Sequence, residues 1–304
     1  MQQPGPYADF LPLLWTPLLT VLLLWWTQRH APGALGSGIP QVVRALDHDL
    51  QPAQLSWLVS LRLSMHKVVL VSGGLLAGLS IGREGPTVQV GAGVMLHARR
   101  WLSSGSGIDA HDLMVAGAAA GIAAAFNTPL GGIVFALEQL SRRRSMSHSA
   151  LVISSIVLAG LVAASAFGNA TYFGRLRVQS LSWALLLPGL LVALVAGLAG
   201  GPALSLNRYL SAWPAVALLA GVGREAAIPL IALGMVGFLA ATAQGPITAF
   251  IIVMEMVSGH AMVLSLMACA LLASGLARLM TPPMYRELAA LLPLPSAQGE
   301  SMRL

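Results

Sequence analysis

Apolar residues along this chain come in long blocks separated by short polar loops. Blocks of near-spanning length occupy residues 10–26, 65–81, 150–167, 181–198, 213–222, 226–257 and 261–277, and Gly or Pro interrupts many of them. A helix needs about 20 residues to cross a bilayer, so the blocks predict roughly eight to ten helical segments, some too short to cross. After Tyr285 only the short tail 286–304 remains. The pattern predicts one all-α transmembrane domain over 1–304, with a first half at about 1–180, a second at about 181–285 and no soluble regulatory domain.

Two segments repeat a common plan: "GAAAGIAAAFNTPLGGIVFALEQL" from Gly117 and "GMVGFLAATAQGPITAFIIVMEMV" from Gly234. Without gaps, Gly117/Gly234, Ala123/Ala240, Ala124/Ala241, Pro129/Pro246 and Glu138/Glu255 coincide. In each, a helix of small residues meets a Pro, and a second apolar helix then ends in Glu. Apolar composition inflates such matches, but the shared Pro and Glu register is what duplicated halves around a midplane binding site produce. Ala118, Ala119, Ala120 and Gly121 also permit close helix packing in lipid.

Composition agrees with the pattern. The chain is 56% hydrophobic and 9% charged, against roughly 25% charged in soluble domains. Its net charge of +6 comes from scattered arginines and one tight cluster, Arg142-Arg143-Arg144, which places that end of its helix in the cytoplasm. No basic stripe with interleaved aromatics supports nucleic-acid binding. Asp9 and the lack of a basic segment before the first apolar block argue for a retained helix rather than a cleaved leader. Cys269, the one cysteine, reads as a small core group, which excludes internal disulfides. His66, His97, His111, His148 and His260 lack metal-ligand spacing, so no metal is expected and ordinary polar roles are. No Ser/His/Asp or His-Glu-x-x-His pattern points to an enzyme. Trp15, Trp25, Trp26, Trp57 and Trp101 read as interface anchors.

The chemistry concentrates in two glycine-flanked loops, "LGSGIPQ" at Leu35–Gln41 and "IGREGPT" at Ile81–Thr87. Glycines let a backbone present several N–H groups to one ligand. Pro then favours the first turn of a following helix, whose orphan N–H groups and dipole suit an anion. Either loop alone is also an ordinary turn. Two together in a membrane chain, where irregular backbone is tolerated only when buried or lining a cavity, point to an anion site to which Ser37 adds a hydroxyl. Glu84 is costly at membrane depth. It either competes with an anion for the amides and leaves when protonated, as a gate and proton carrier would, or it pairs locally with Arg83.

"GSGIP", "GREGP" and "GAAAGIAAAFNTPLGGIVFALEQL", in this order and spacing, resemble the CLC family of voltage-gated chloride channels and chloride/proton antiporters, bacterial type. Lys67 also falls where that family carries a lysine, and "GPITAFIIVMEMV" and "TPPMYRELA" resemble its late segments. The resemblance implies an inverted-repeat bundle of short, tilted and broken helices, a homodimer in a bacterial inner membrane, and chloride, with or without protons, as the transported ligand without other cofactors. It implies that the Arg83, Glu84 and Gly85 amides form an outer anion site and the Gly36 and Ser37 amides an inner one, with Gly38 also among the chloride-binding residues. The hydroxyls of Ser37 and Tyr285 would meet at a central anion, with Glu84 as the outer gate. Residues alone would make Tyr285 an interfacial belt residue.

The family pattern is also broken. Its internal proton-transfer glutamate would fall at position 139, where this chain has Gln139, so Glu138 is either a helix-end structural carboxylate or a relocated proton carrier. Its third filter segment, a Gly-x-Phe-x-Pro loop, cannot be found. "VGREAAIP" at Val222–Pro229 echoes the glutamate loop but lacks the Gly-Pro ending, and its Arg224-Glu225 reads as a solvent-facing connection. Only one apolar helix precedes Gly36, which implies a shortened or internally deleted member. Three readings therefore stand: gated transport with protons, passive chloride conduction, or a non-transporting relative that serves as a membrane scaffold.

Overall fold

The computed structural model describes residues 11–47, 49–103, 105–141, 148–168, 186–200 and 224–295. The apolar block 213–222, the Arg142–Arg144 cluster and the stretch before Arg224 that would carry a third filter loop lie outside them. The described residues are helical and contain no strand. Helices α1 (Leu11–His30), α2 (Ile39–Ala45), α3 (Pro52–Leu58), α4 (Leu61–Leu76), α5 (Glu84–Ala98), α6 (Ala110–Phe126), α7 (Pro129–Phe135) and α8 (Ser149–Phe167) form the first half. The second contains α9 (Leu186–Gly200), α10 (Arg224–Ala243), α11 (Pro246–Met256), α12 (Val263–Met280) and α13 (Met284–Ala290).

These helices outnumber the sequence expectation because α2, α3, α7 and α13 are two-turn pieces too short to register as apolar blocks. Pro stands in the first turn of α2, α3 and α7, where its missing N–H costs nothing. Among the described residues three stretches, Pro52–Leu76, Ser149–Ala166 and His260–Met280, are long and apolar enough to cross a membrane. Two details differ from expectation. Helix α10 begins at Arg224, so Arg224 and Glu225 open a helix instead of lying in a connection, and α13 runs through the boundary set at residue 285.

The repeat is visible in the backbone. Helix α6 ends on Asn127 at φ 56° and α10 on Gln244 at φ 49°, both left-handed, and each is followed within two residues by the Pro that starts the next helix. Asn adopts this conformation more readily than most residues. A main core then joins the halves, running from Ile39 and Val88 through Ile122 and Phe135 to Ile252, Leu266 and Ala270. Small residues set the tightest crossing, α5 on α6. A methyl added at Gly117 would approach the Gly91 carbonyl carbon to 2.6 Å, and one at Gly121 the Thr87 carbonyl carbon to 2.8 Å. That spacing explains the run of Ala and Gly on α6.

Around this core, Leu158, Leu161 and Val162 of α8 and Leu264 and Leu279 of α12 are exposed. Four of the tryptophans read as anchors, Trp15, Trp25, Trp26 and Trp101, are likewise exposed. Trp57 is not: it packs against the core, and its carbonyl lies against Gly33. Cys269 is buried, and its thiol donates to the Leu233 carbonyl at 3.2 Å.

Candidate functional site

Both glycine loops line one cavity of about 470 Å³, together with faces of α1 and α4. The 35–38 loop depends on two left-handed glycines, Gly36 at φ 80° and Gly38 at φ 110°, conformations in which a side chain is strained. Helix α2 starts directly after Gly38 and carries Pro40 in its first turn.

Three side chains hold this loop. Lys67, 1% exposed on α4, donates its ammonium to the carbonyls of Ala34 at 2.7 Å and Gly36 at 2.6 Å. The Gln41 amide donates to Leu35, and the Gln89 amide of α5 donates to Gly33 at 3.1 Å and Leu58 at 2.9 Å. A buried lysine that donates to two loop carbonyls turns those oxygens toward itself, so the N–H groups of Gly36 to Gly38 can face another partner.

The second loop leads into α5, whose first residues are Glu84, Gly85 and Pro86. The loops touch backbone to backbone. A methyl on Gly85 would strike the Ser37 hydroxyl and carbonyl, and one on Gly38 would strike the Gly85 carbonyl. Glu84 is half-buried and bends back over Gly82, so its carboxylate sits at the amide end of α5. A negative group there is stabilised by the helix dipole. Thus Gly36, Ser37, Glu84 and Gly85 line the cavity, and Gly38 packs on Gly85. Arg83 is exposed at the start of α5.

Tyr285 is not part of this cavity's lining. It packs on the main core from α13, which lies against α2. It comes after the last long apolar span. Burial, followed by the charge of Glu84, pushes its phenol up to about 12, so the hydroxyl remains a donor and is within electrostatic reach of the carboxylate.

Glu138 and Gln139 lie on a single π-helical turn, Ala136–Leu140, that continues α7. Glu138 accepts the Ile247 and Thr248 N–H groups at 3.3 and 2.7 Å, capping α11. Glu255, at the end of α11, accepts the Leu130 and Gly131 N–H groups at 3.3 and 2.7 Å, capping α7. Each half of the repeat therefore caps the other. Gln139 donates its amide to the Ala243 carbonyl at 3.3 Å, beside the same bend.

One polar cluster at the start of α6 is completed by a histidine far along the chain. Asp109 caps α6 by accepting the Asp112 N–H at 2.8 Å, and Asp112, 7% exposed, accepts from His148 at 2.6 Å across 36 residues. Asp109, His111 and Asp112 bring three ligand atoms within 4.8 Å of one another, the one grouping among the described residues with a metal-capable donor set.

A family model described as voltage gated chloride channel matches residues 19–216 and 215–278. The H(+)/Cl(-) exchange transporter ClcA of Citrobacter koseri is 34% identical over 163 residues, 51% of this chain and 33% of that protein. ClcA of Vibrio parahaemolyticus is 34% identical over 151 residues, 50% of this chain and 31% of its own. The matched part thus spans about a third of the length of these curated relatives. A crystal structure of a slow cyanobacterial Cl−/H+ antiporter superposes with a TM-score of 0.76 at 20% identity, covering 94% of this chain and 88% of that one. A CLC-type fluoride/proton antiporter gives 0.57 at 18%, covering 92% and 88%. Both share the helical fold described above.

Proposed function

The chain belongs to the voltage-gated chloride channel family, and from that premise we propose that it moves chloride across a membrane through amides of its two glycine loops, with Glu84 as the gate. The observation that carries this reading is the convergence of Ser37, Gly85 and the Glu84 carboxylate on one cavity at the start of α5. A carboxylate at a helix N-terminus occupies the place an anion would take. Protonation removes its charge and with it the attraction of the helix dipole, and chloride enters. Chloride leaving returns the carboxylate, so the same residue both blocks the path and carries a proton.

Lys67 braces the inner loop from α4 through the Ala34 and Gly36 carbonyls, and Tyr285 adds a neutral hydroxyl donor from the α13 side. The bacterial relatives support residence in a bacterial inner membrane. The exposed apolar faces of α8 and α12 support a homodimer, as such faces are covered either by lipid or by a second copy.

A second reading, chloride conduction without obligatory protons, is favoured by the inner end. Gln139 does not ionise, and both oxygens of Glu138 are engaged by α11 amides. The deciding experiment is chloride efflux from liposomes containing the purified chain, with pH recorded alongside. Acid outside should raise flux, and Glu84→Gln should give flux that no longer responds to pH. No flux from folded protein, or an unchanged pH response in Glu84→Gln, overturns the assignment.

A further inference from the structure

Helix α1 is almost wholly apolar, but its three threonines, Thr16, Thr20 and Thr27, are not spread around it. Leu14, Leu18, Val21, Leu22 and Trp25 are exposed on the outer side. Thr20 and Thr27, with Leu23 between them, face the cavity that Glu84 lines, and Thr16 lies beside Gly78 at the end of α4. Two helical turns, about 10 Å, separate Thr20 from Thr27. Each hydroxyl spends its proton on the carbonyl four residues back, Thr16 for Thr20 and Leu23 for Thr27, both at 2.6 Å. Their lone pairs therefore remain as acceptors for groups inside the cavity.

Lys67 of α4, Ser80 and Glu84 also line the cavity. A cavity of about 470 Å³ whose lining includes threonine and serine hydroxyls and a carboxylate has room and partners for several waters.

We propose that this cavity is a water-filled chamber through which protons reach Glu84 along the threonine face of α1, and that Thr20 and Thr27 are positioning residues that hold its water. This rests on the gate reading above and adds a route to it. Water accepting and passing a proton between the two threonines and the carboxylate needs no other reactant, because the proton arrives from solvent and ends on Glu84.

The chamber is tested without transport by placing a cysteine at Thr20. Only a water-exposed thiol ionises and reacts, and the sole native thiol, Cys269, is buried. Thr20→Cys should react with a charged, water-soluble methanethiosulfonate, whereas Leu18→Cys on the outer face should not. Failure of Thr20→Cys to react, or equal reaction at both positions, overturns the chamber.

The proton route is tested with Thr20→Val and Thr27→Val combined, a change that keeps shape and removes the oxygens. Acid-activated chloride flux should fall several-fold, with its response displaced toward lower pH. In a Glu84→Gln background the same pair should leave flux unchanged. A wild-type pH response in the double variant, or an equal loss in both backgrounds, overturns the route. A parent chain without flux removes the gate reading and this route together, while the labelling result still decides whether the chamber holds water.

Discussion

Gly82 and Gly85 lie in the same loop, but a methyl added to each meets a different neighbour. At Gly85 it meets the Ser37 hydroxyl together with fixed backbone, the Ser37 carbonyl. At Gly82 it meets the far end of the Glu84 side chain, with the carboxyl carbon 3.5 Å away. A flexible side chain can yield where a packed backbone cannot. Gly85→Ala should therefore separate the two loops and reduce the yield of folded protein. Gly82→Ala should fold normally, displace the carboxylate and raise basal chloride flux at neutral pH. Size-exclusion behaviour in detergent and liposome efflux measure the two outcomes, and normal gating in a well-folded Gly82→Ala protein would show that the carboxylate does not rest where it is seen. At this scale the sequence was informative because glycine and proline announce their backbone requirements. Tyr285 had no such mark, since a tyrosine near a chain end has many ordinary uses and only the family resemblance singled it out. The α1 threonines were equally silent inside a block that averages as apolar.

Between elements, the repeat's shared glutamates have a physical meaning that their register alone did not supply. Coincidence of Glu138 with Glu255 pointed to a repeat, but which amides the carboxylates reach depends on α7 and α11 crossing head to tail. The structure shows two charged caps, each with one bond of 2.7 Å and one of 3.3 Å. Hydrogen bonds to a charged group contribute about 1.5–3 kcal/mol each, and a glutamine keeps a single carbonyl oxygen for two donors. Glu138→Gln and Glu255→Gln should each lower the denaturation midpoint by a similar amount, as their matched geometry requires. The double variant should lose less than the sum, because both caps brace one crossing. Full additivity would mean that the caps act on independent helices. The Asp112–His148 bond was invisible for the same reason: a helix cap and a histidine 36 positions later share no local pattern.

For the molecule as a whole, the proposed gate and inner end lie on different elements of the first half, Glu84 on α5 and Gln139 on the turn after α7, so coupling of chloride to protons requires something that ionises at both. Gln139 meets the Ala243 carbonyl as a donor, and a methyl on Gly245 would reach the Glu138 carboxylate at 3.0 Å as well as the Gln139 amide. A glutamate at 139 would find an acceptor in front of it and a carboxylate beside it. Both disfavour its charged form and favour the protonated acid, which keeps the donated bond. Gln139→Glu should thus fold and supply the ionisable group that the native chain lacks. With chloride gradients imposed across liposomes, the native protein should release chloride with little proton movement in return. Gln139→Glu should move protons against the chloride flow, and Glu84→Gln in the same chain should abolish that movement while chloride continues. If the native protein already pumps protons under a chloride gradient, its inner route avoids residue 139. Glu138 would then have to leave its α11 amides during each cycle, so Glu138→Gln would stop proton movement as well as weaken the fold.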